Sequence, residues 1–135
     1  MTPESKLWHA LKDKIPTQAH VQRIENTIER GTPDLNIFYM GKDYWIELKI
    51  EENSKLYLRK EQAVWAARRH MSGGTSYVIA RNMKYDTYTL HQSPFVVEPY
   101  NGIEVRIVSA HRSLLYGEAG ARELINDLLN DHSKG

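Results

Sequence analysis

The chain contains no cysteine, which excludes disulfide frameworks, zinc ribbons and thiol chemistry together. It also lacks any apolar run near the roughly 18 to 20 residues that a bilayer crossing needs. The opening stretch MTPESKLWHALKDK carries charges where a secretory signal has an apolar segment, so a cytoplasmic protein is expected, in the host cytoplasm if the gene belongs to a phage. A large excess of one charge is missing as well: 18 Lys and Arg stand against 17 Asp and Glu, a formal net charge of +1. Histone-like neutralisation of nucleic acid is therefore excluded, although a balanced total can hide a basic surface around an acidic pocket. Glycine and proline are too few and too scattered to form a linker, and there is no internal repeat, so residues 1–135 are read as one domain. With 41% hydrophobic and 26% charged residues, disorder is excluded as the main state.

Periodicity supplies the elements. Thr2 is a candidate N-cap before Pro3, and Leu7, Trp8, Leu11 and Ile15 recur at helical spacing until Pro16, which predicts a helix over 3–15. Three segments rich in β-branched and aromatic residues, 20–26, 34–40 and 43–50, are separated by Gly31-Thr32-Pro33 and Met40-Gly41-Lys42 and predict an antiparallel meander. A second helix is expected over 59–72, with Val64, Ala67, Arg68 and Met71 along one side and Gly73-Gly74 as its stop. SYVIAR and YDTYTL read as a hairpin about Asn82-Met83-Lys84, and IEVRIVS as a further strand. Ala121, Leu124, Ile125, Leu128 and Leu129 mark a final amphipathic helix. A mixed α/β sheet with helices on its faces buries all these stripes most simply.

The informative stretch is RGTPDLNIFYMGKDYWIELK, residues 30–49. Glu47 and Lys49 are two apart and share one strand face, while Ile46, Leu48 and Ile50 take the other. With Gly41-Lys42 as the tight turn, Asp34 stands opposite Lys49, Asn36 opposite Glu47, Leu35 opposite Leu48 and Ile37 opposite Ile46, which puts apolar against apolar and polar against polar. Two carboxylates and an ammonium on one patch suit a hard divalent cation, Mg²⁺ with Mn²⁺ as substitute, held by Asp34, Glu47 and the Leu48 carbonyl. Lys49 would then orient water or offset charge on a phosphorane-like transition state. The triplet Glu4-Ser5-Lys6 has the same spacing without an acidic strand before it and shows that E-x-K alone carries little.

These residues resemble the PD-(D/E)xK nuclease superfamily and, within it, the stand-alone VRR-NUC domains often carried by bacteriophages. That family looks like G-x-P-D, then E-L-K after a short hairpin, then a leucine, a capping residue and a glutamine opening the next helix. Gly31-Thr32-Pro33-Asp34, Glu47-Leu48-Lys49 and Leu58 to Gln62 stand in those places, with Arg59 where a Ser or Thr cap is usual. The resemblance covers about residues 4–81 and leaves 91–135 as a C-terminal extension of strand and helix. It implies a restriction-endonuclease-like fold and a Mg²⁺-dependent DNA endonuclease, structure-specific for branched or Holliday-junction DNA, in recombination, repair or phage DNA processing.

By the same resemblance Gln62 reaches toward the metal site or a substrate phosphate. A third carboxylate would be Glu4 on the first helix, as in family members, or Glu25 on the strand expected beside Asp34. Arg23, Arg30, Arg59 and Lys60 are candidate DNA contacts, while Arg68 and Arg69 read as a solvated helix face. Trp8, Trp45 and Trp65 read as core, Trp45 sharing the Glu47 face. A homodimer is expected because symmetric junction cleavage needs two sites, with the apolar stripe of the last helix, the first helix or a strand exchange as its interface. The rival reading is a nucleic-acid-binding or assembly protein that keeps the fold and has lost catalysis.

Overall fold

A computed structural model describes residues 1–25 and 30–130. The first helix, α1 (Pro3–Lys12), starts where its cap stands: Thr2 Oγ1 accepts from the Ser5 N–H at 3.1 Å, and Pro3 occupies the first turn. It ends at Lys12 rather than at residue 15, because Pro16 disfavours a helical conformation for the residue before it. Turn bonds from Lys14 to Leu11 and from Ile15 to Lys12 close the end, and Ile15 is still buried.

Strands β1 (His20–Arg23), β2 (Leu35–Tyr39) and β3 (Lys42–Glu51) form the expected antiparallel meander. Residue 26, the end of the first expected strand, lies outside the described residues. The hairpin turn is Met40-Gly41, with φ of 53° and 76°. Two successive left-handed residues make the tight turn that matches strand twist. The pairing is therefore Leu35 with Ile46, Ile37 with Tyr44 and Tyr39 with Lys42. This corrects the expected register by two residues. An even shift keeps every side chain on its face, so the polar face survives.

After β3 come a short strand that the sequence did not signal, β4 (Tyr57–Arg59), then α2 (Lys60–Met71) and β5 (Tyr77–Asn82), which lies parallel to β3. α2 ends in a glycine motif: Gly73 has φ of 91° and bonds to His70, and Gly74 bonds to Arg69. Long strands β6 (Thr87–Pro99) and β7 (Glu104–Tyr116) and the helix α3 (Ala121–Leu129) complete the chain. The sheet order is β1-β2-β3-β5-β6-β7-β4. Residues 91–135 thus continue the sheet of the motif region as far as they are described.

One sheet face packs under α1 and α3. Leu7, Leu11, Leu35, Ile37, Ile46 and Ile79 join Ala121, Leu124, Ile125, Leu128 and Leu129 in a single buried cluster, so the apolar stripe of α3 is covered by its own chain. The other face carries a smaller cluster, Leu56, Leu58, Val78 and Ala80, with Ala63 and Phe95 against it. Here α2 buries Gln62 and Ala66, and Val64, Ala67, Arg68 and Met71 face outward. The expected apolar side of α2 is corrected: its own buried residues are Ala66 and Gln62, which bonds to the Glu47 carboxyl, so the inward face of the helix is small and polar. Among the described residues no helix is long and apolar enough to cross a membrane.

Candidate active site

Asp34 stands just before β2, where backbone pairing with β3 has ended. Its Oδ2 accepts the Leu48 N–H at 3.1 Å, in place of a backbone carbonyl, and its own carbonyl accepts from Ile24 at 2.7 Å. Because N–H and C=O of one strand residue point to the same side, the Leu48 carbonyl shares the Asp34 side. The loop carrying Asp34 is pressed on the start of α2 at Gly31, which has φ of 92°; a Cβ there would lie 2.2 Å from the Glu61 carbonyl oxygen. Only glycine meets both demands.

Glu47 is 6% exposed. Its Oε2 accepts from Gln62 Nε2 at 2.6 Å and lies 3.8 Å from Lys49 Nζ, while Oε1 is buried without a hydrogen-bond partner. Burial foremost, then the negative charge of Asp34, pushes the Glu47 carboxyl up to about 8 against the pull of Lys49. The Gln62 amide works at both ends: its Oε1 accepts from the Arg59 N–H at 2.8 Å, half of a capping box, so the N-cap needs no Ser or Thr.

The donor set fits a divalent cation. A buried carboxylate oxygen without a partner, a second carboxylate beside it and a neighbouring carbonyl are oxygen ligands whose mutual repulsion a cation would relieve. Glu4 in the first turn of α1 and Glu25 beyond β1 are both exposed, and among the described residues no three acidic, His or Cys side chains cluster as a metal site. Neither candidate for the third carboxylate joins Asp34 and Glu47.

The candidate DNA contacts separate. Arg23 lies over the Trp8 ring at 5.0 Å, on the β1 side. Arg59 and Lys60 are exposed at the start of α2, and Lys60 and Arg30 line one groove of about 820 Å³ along its outer side. Arg69, expected on a solvated face, is instead half-buried over both Trp65 at 4.7 Å and Trp45 at 5.3 Å, and those rings are 5.5 Å apart. The sequence signal for this triple was available: Trp65 and Arg69 are one helical turn apart, and Trp45 is on the Glu47 strand face.

Neither a protein-family model nor a curated protein matches the chain, so the finer likeness to VRR-NUC domains has no support beyond the motifs themselves. Solved structures do match. One is that of Hjc, a Holliday junction resolvase from the archaeal hyperthermophile Archaeoglobus fulgidus, at 15% identity and a TM-score of 0.51 over 76% of this chain and 85% of that one. At such identity the likeness is one of fold, and the fold is the restriction-endonuclease-like one: a mixed sheet of seven strands with three helices among the described residues.

Proposed function

We propose that the protein is a metal-dependent DNA endonuclease that acts on branched DNA, Holliday junctions included, in recombination, repair or phage DNA processing. The observation that carries this reading is the partnerless Glu47 Oε1, buried beside Asp34 between Lys49 and Gln62. Asp34, Glu47 and the Leu48 carbonyl would hold Mg²⁺ or Mn²⁺, which when bound supplies Lewis acidity at the scissile phosphate. Lys49 presents the ammonium that offsets charge developing on the phosphate oxygens and orients the attacking water. Gln62 fixes the Glu47 carboxylate against rotation, and Arg30, Arg59 and Lys60 supply phosphate contacts. The likeness to a resolvase supports branched DNA as substrate by analogy of fold.

Symmetric cleavage of a junction needs two sites, and one chain supplies one, so we read the active form as a homodimer. With the α3 stripe covered, β7 beyond its short pairing with β4 offers the sheet edge on which a second copy could add. Light scattering at micromolar concentration should give about twice the 15.7 kDa chain mass.

The test is incubation of the protein with labelled four-way-junction, flap and linear duplex DNA, with Mg²⁺ or with EDTA. Paired nicks on opposite junction arms are expected with Mg²⁺ only, and Asp34→Ala, Glu47→Ala and Lys49→Ala should each lower the rate more than 100-fold, the loss of several kcal/mol of transition-state stabilisation. Tight junction binding without cutting under Mg²⁺ or Mn²⁺ would establish the non-catalytic rival instead.

A further inference from the structure

We infer that the groove along the outer side of α2 binds single-stranded polynucleotide, seating an unpaired base on the Trp65–Arg69 stack next to the acidic site. The inference rests on the nuclease reading of that site and adds the conformation of the strand it receives. Trp65 connects the two places: it lines the large groove and also the small hollow formed by Gly31, Pro33, Glu47 and Gln62. Trp65 is thus the partition between them, which sets the groove directly beside the acidic site.

The lining matches such a strand in charge. Arg30, Lys60, Arg68 and Arg69 stand in the groove against the one acidic residue Glu61, in a chain whose formal net charge is only +1. Among the described residues none of these four cations forms an ion pair. Four unpaired cations in one recess are an electrostatic track for phosphates.

The lining matches in shape as well. The Arg69 guanidinium lies over Trp65 and Trp45, so its plane and the indole beside it present flat surfaces, and both residues are half-buried. Gly74 makes room for this posture: a Cβ there would lie 2.5 Å from Arg69 Cδ and displace the side chain. Val64, exposed on the same side of α2, adds an apolar patch. Flat aromatic and guanidinium faces interact with bases through stacking, which only an unpaired base can offer, since the bases of a duplex stack on one another. A duplex would touch the cations and leave Trp65 unused. Flaps and gapped branches supply such unpaired bases directly.

Tryptophan emission in EDTA reads the groove without cleavage. Oligothymidylate and, in a parallel arm, oligouridylate are the probes, which separates single-stranded DNA from RNA as the source; binding by either supports the groove. Emission should be quenched, with a duplex of equal length bound at least tenfold more weakly. Trp65→Phe should remove most of the quenching and weaken binding roughly tenfold. Arg68→Glu, at an exposed position, should weaken binding by a similar factor and flatten its salt dependence, and keeps the test open if Trp65→Phe fails to fold. Absence of quenching, equal affinity for the duplex, or unchanged binding by both variants would overturn the inference. Junction cleavage by the same wild-type preparation with Mg²⁺ separates the two readings. Cutting without oligonucleotide binding removes the groove alone, and binding with quenching but without cutting supports the groove and removes the nuclease.

Discussion

Gln62 donates to Glu47 across 2.6 Å while its carbonyl oxygen caps the N–H of Arg59, so one uncharged amide ties the position of a buried carboxylate to the first turn of a helix. Alanine at 62 leaves both partners unmatched, which costs about 1 to 3 kcal/mol. Turnover by Gln62→Ala should fall less than in the ligand variants, because an amide orients a ligand and does not anchor an ion. Calorimetric titration of Mn²⁺ should still show binding; its complete loss would mean that Gln62 has a different role.

Gly31→Ala should be among the most damaging small substitutions in the chain. The added methyl meets the Glu61 carbonyl oxygen at 2.2 Å and the backbone is left-handed there, so the loop carrying Asp34 must lift off α2. A loss of about 2 to 4 kcal/mol is expected, read as a lower thermal midpoint, together with a drop in cleavage as Asp34 leaves the Leu48 N–H. A variant that melts and cuts like wild type would show that the approach is looser than described.

His91 gives a pH dependence of known sign. Its Nδ1 meets Ser113 Oγ at 2.8 Å, and burial lowers its pKa below the usual 6.5, partly offset by Glu51. With the folded value depressed, the unfolded chain takes up a proton first as pH falls, so stability contributed at neutral pH is lost below about 6.5 as pH drops through the folded value. His91→Gln should lose less thermal stability than wild type between pH 7 and pH 5. Parallel curves for the two proteins would remove His91 as the cause.

Leu124→Ala should cost about 3 kcal/mol, because the side chain is wholly buried in the core shared with Leu7 and Ile37. The same substitution should leave the mass measured by light scattering unchanged, since α3 packs on its own sheet. Dissociation of a dimer by Leu124→Ala would return this helix to the interface.

The grouping of Asp34, Glu47 and Lys49 was legible because strand parity puts Glu47 and Lys49 on one face and the hairpin brings Asp34 beside them, whereas Gln62 was named only through the motif resemblance. The register was misread by two, since Gly41 serves as the second left-handed residue and draws Met40 into the turn. The face of α2 was misread because its apolar residues are not the buried ones: Gln62 is held inward by hydrogen bonds, which hydrophobic periodicity does not register. The length of β6 and β7 was hidden by exposure, as the outer halves of both strands alternate little between buried and open positions. The three-residue β4 is too short to have a period. By contrast α3 was clear, because five apolar residues at helical spacing all reach the core.

The pairing of β4 with β7 bears on how the molecule is made. Tyr57, Leu58 and Arg59 pair with Arg106, Val105 and Glu104, and the Lys60 N–H bonds to Ile103. The turn that launches α2, and with it Gln62, is thus tied to a part of the chain that leaves the ribosome much later. A nascent chain that has emerged only through β5 already holds Asp34, Glu47, Lys49 and Gln62 and still lacks the strand that pairs beside the start of α2, the helix of Gln62. Contacts so far apart in sequence form slowly. A ribosome stalled before the β6–β7 hairpin emerges would therefore display the acidic residues without the strand that pairs with β4 at the start of α2.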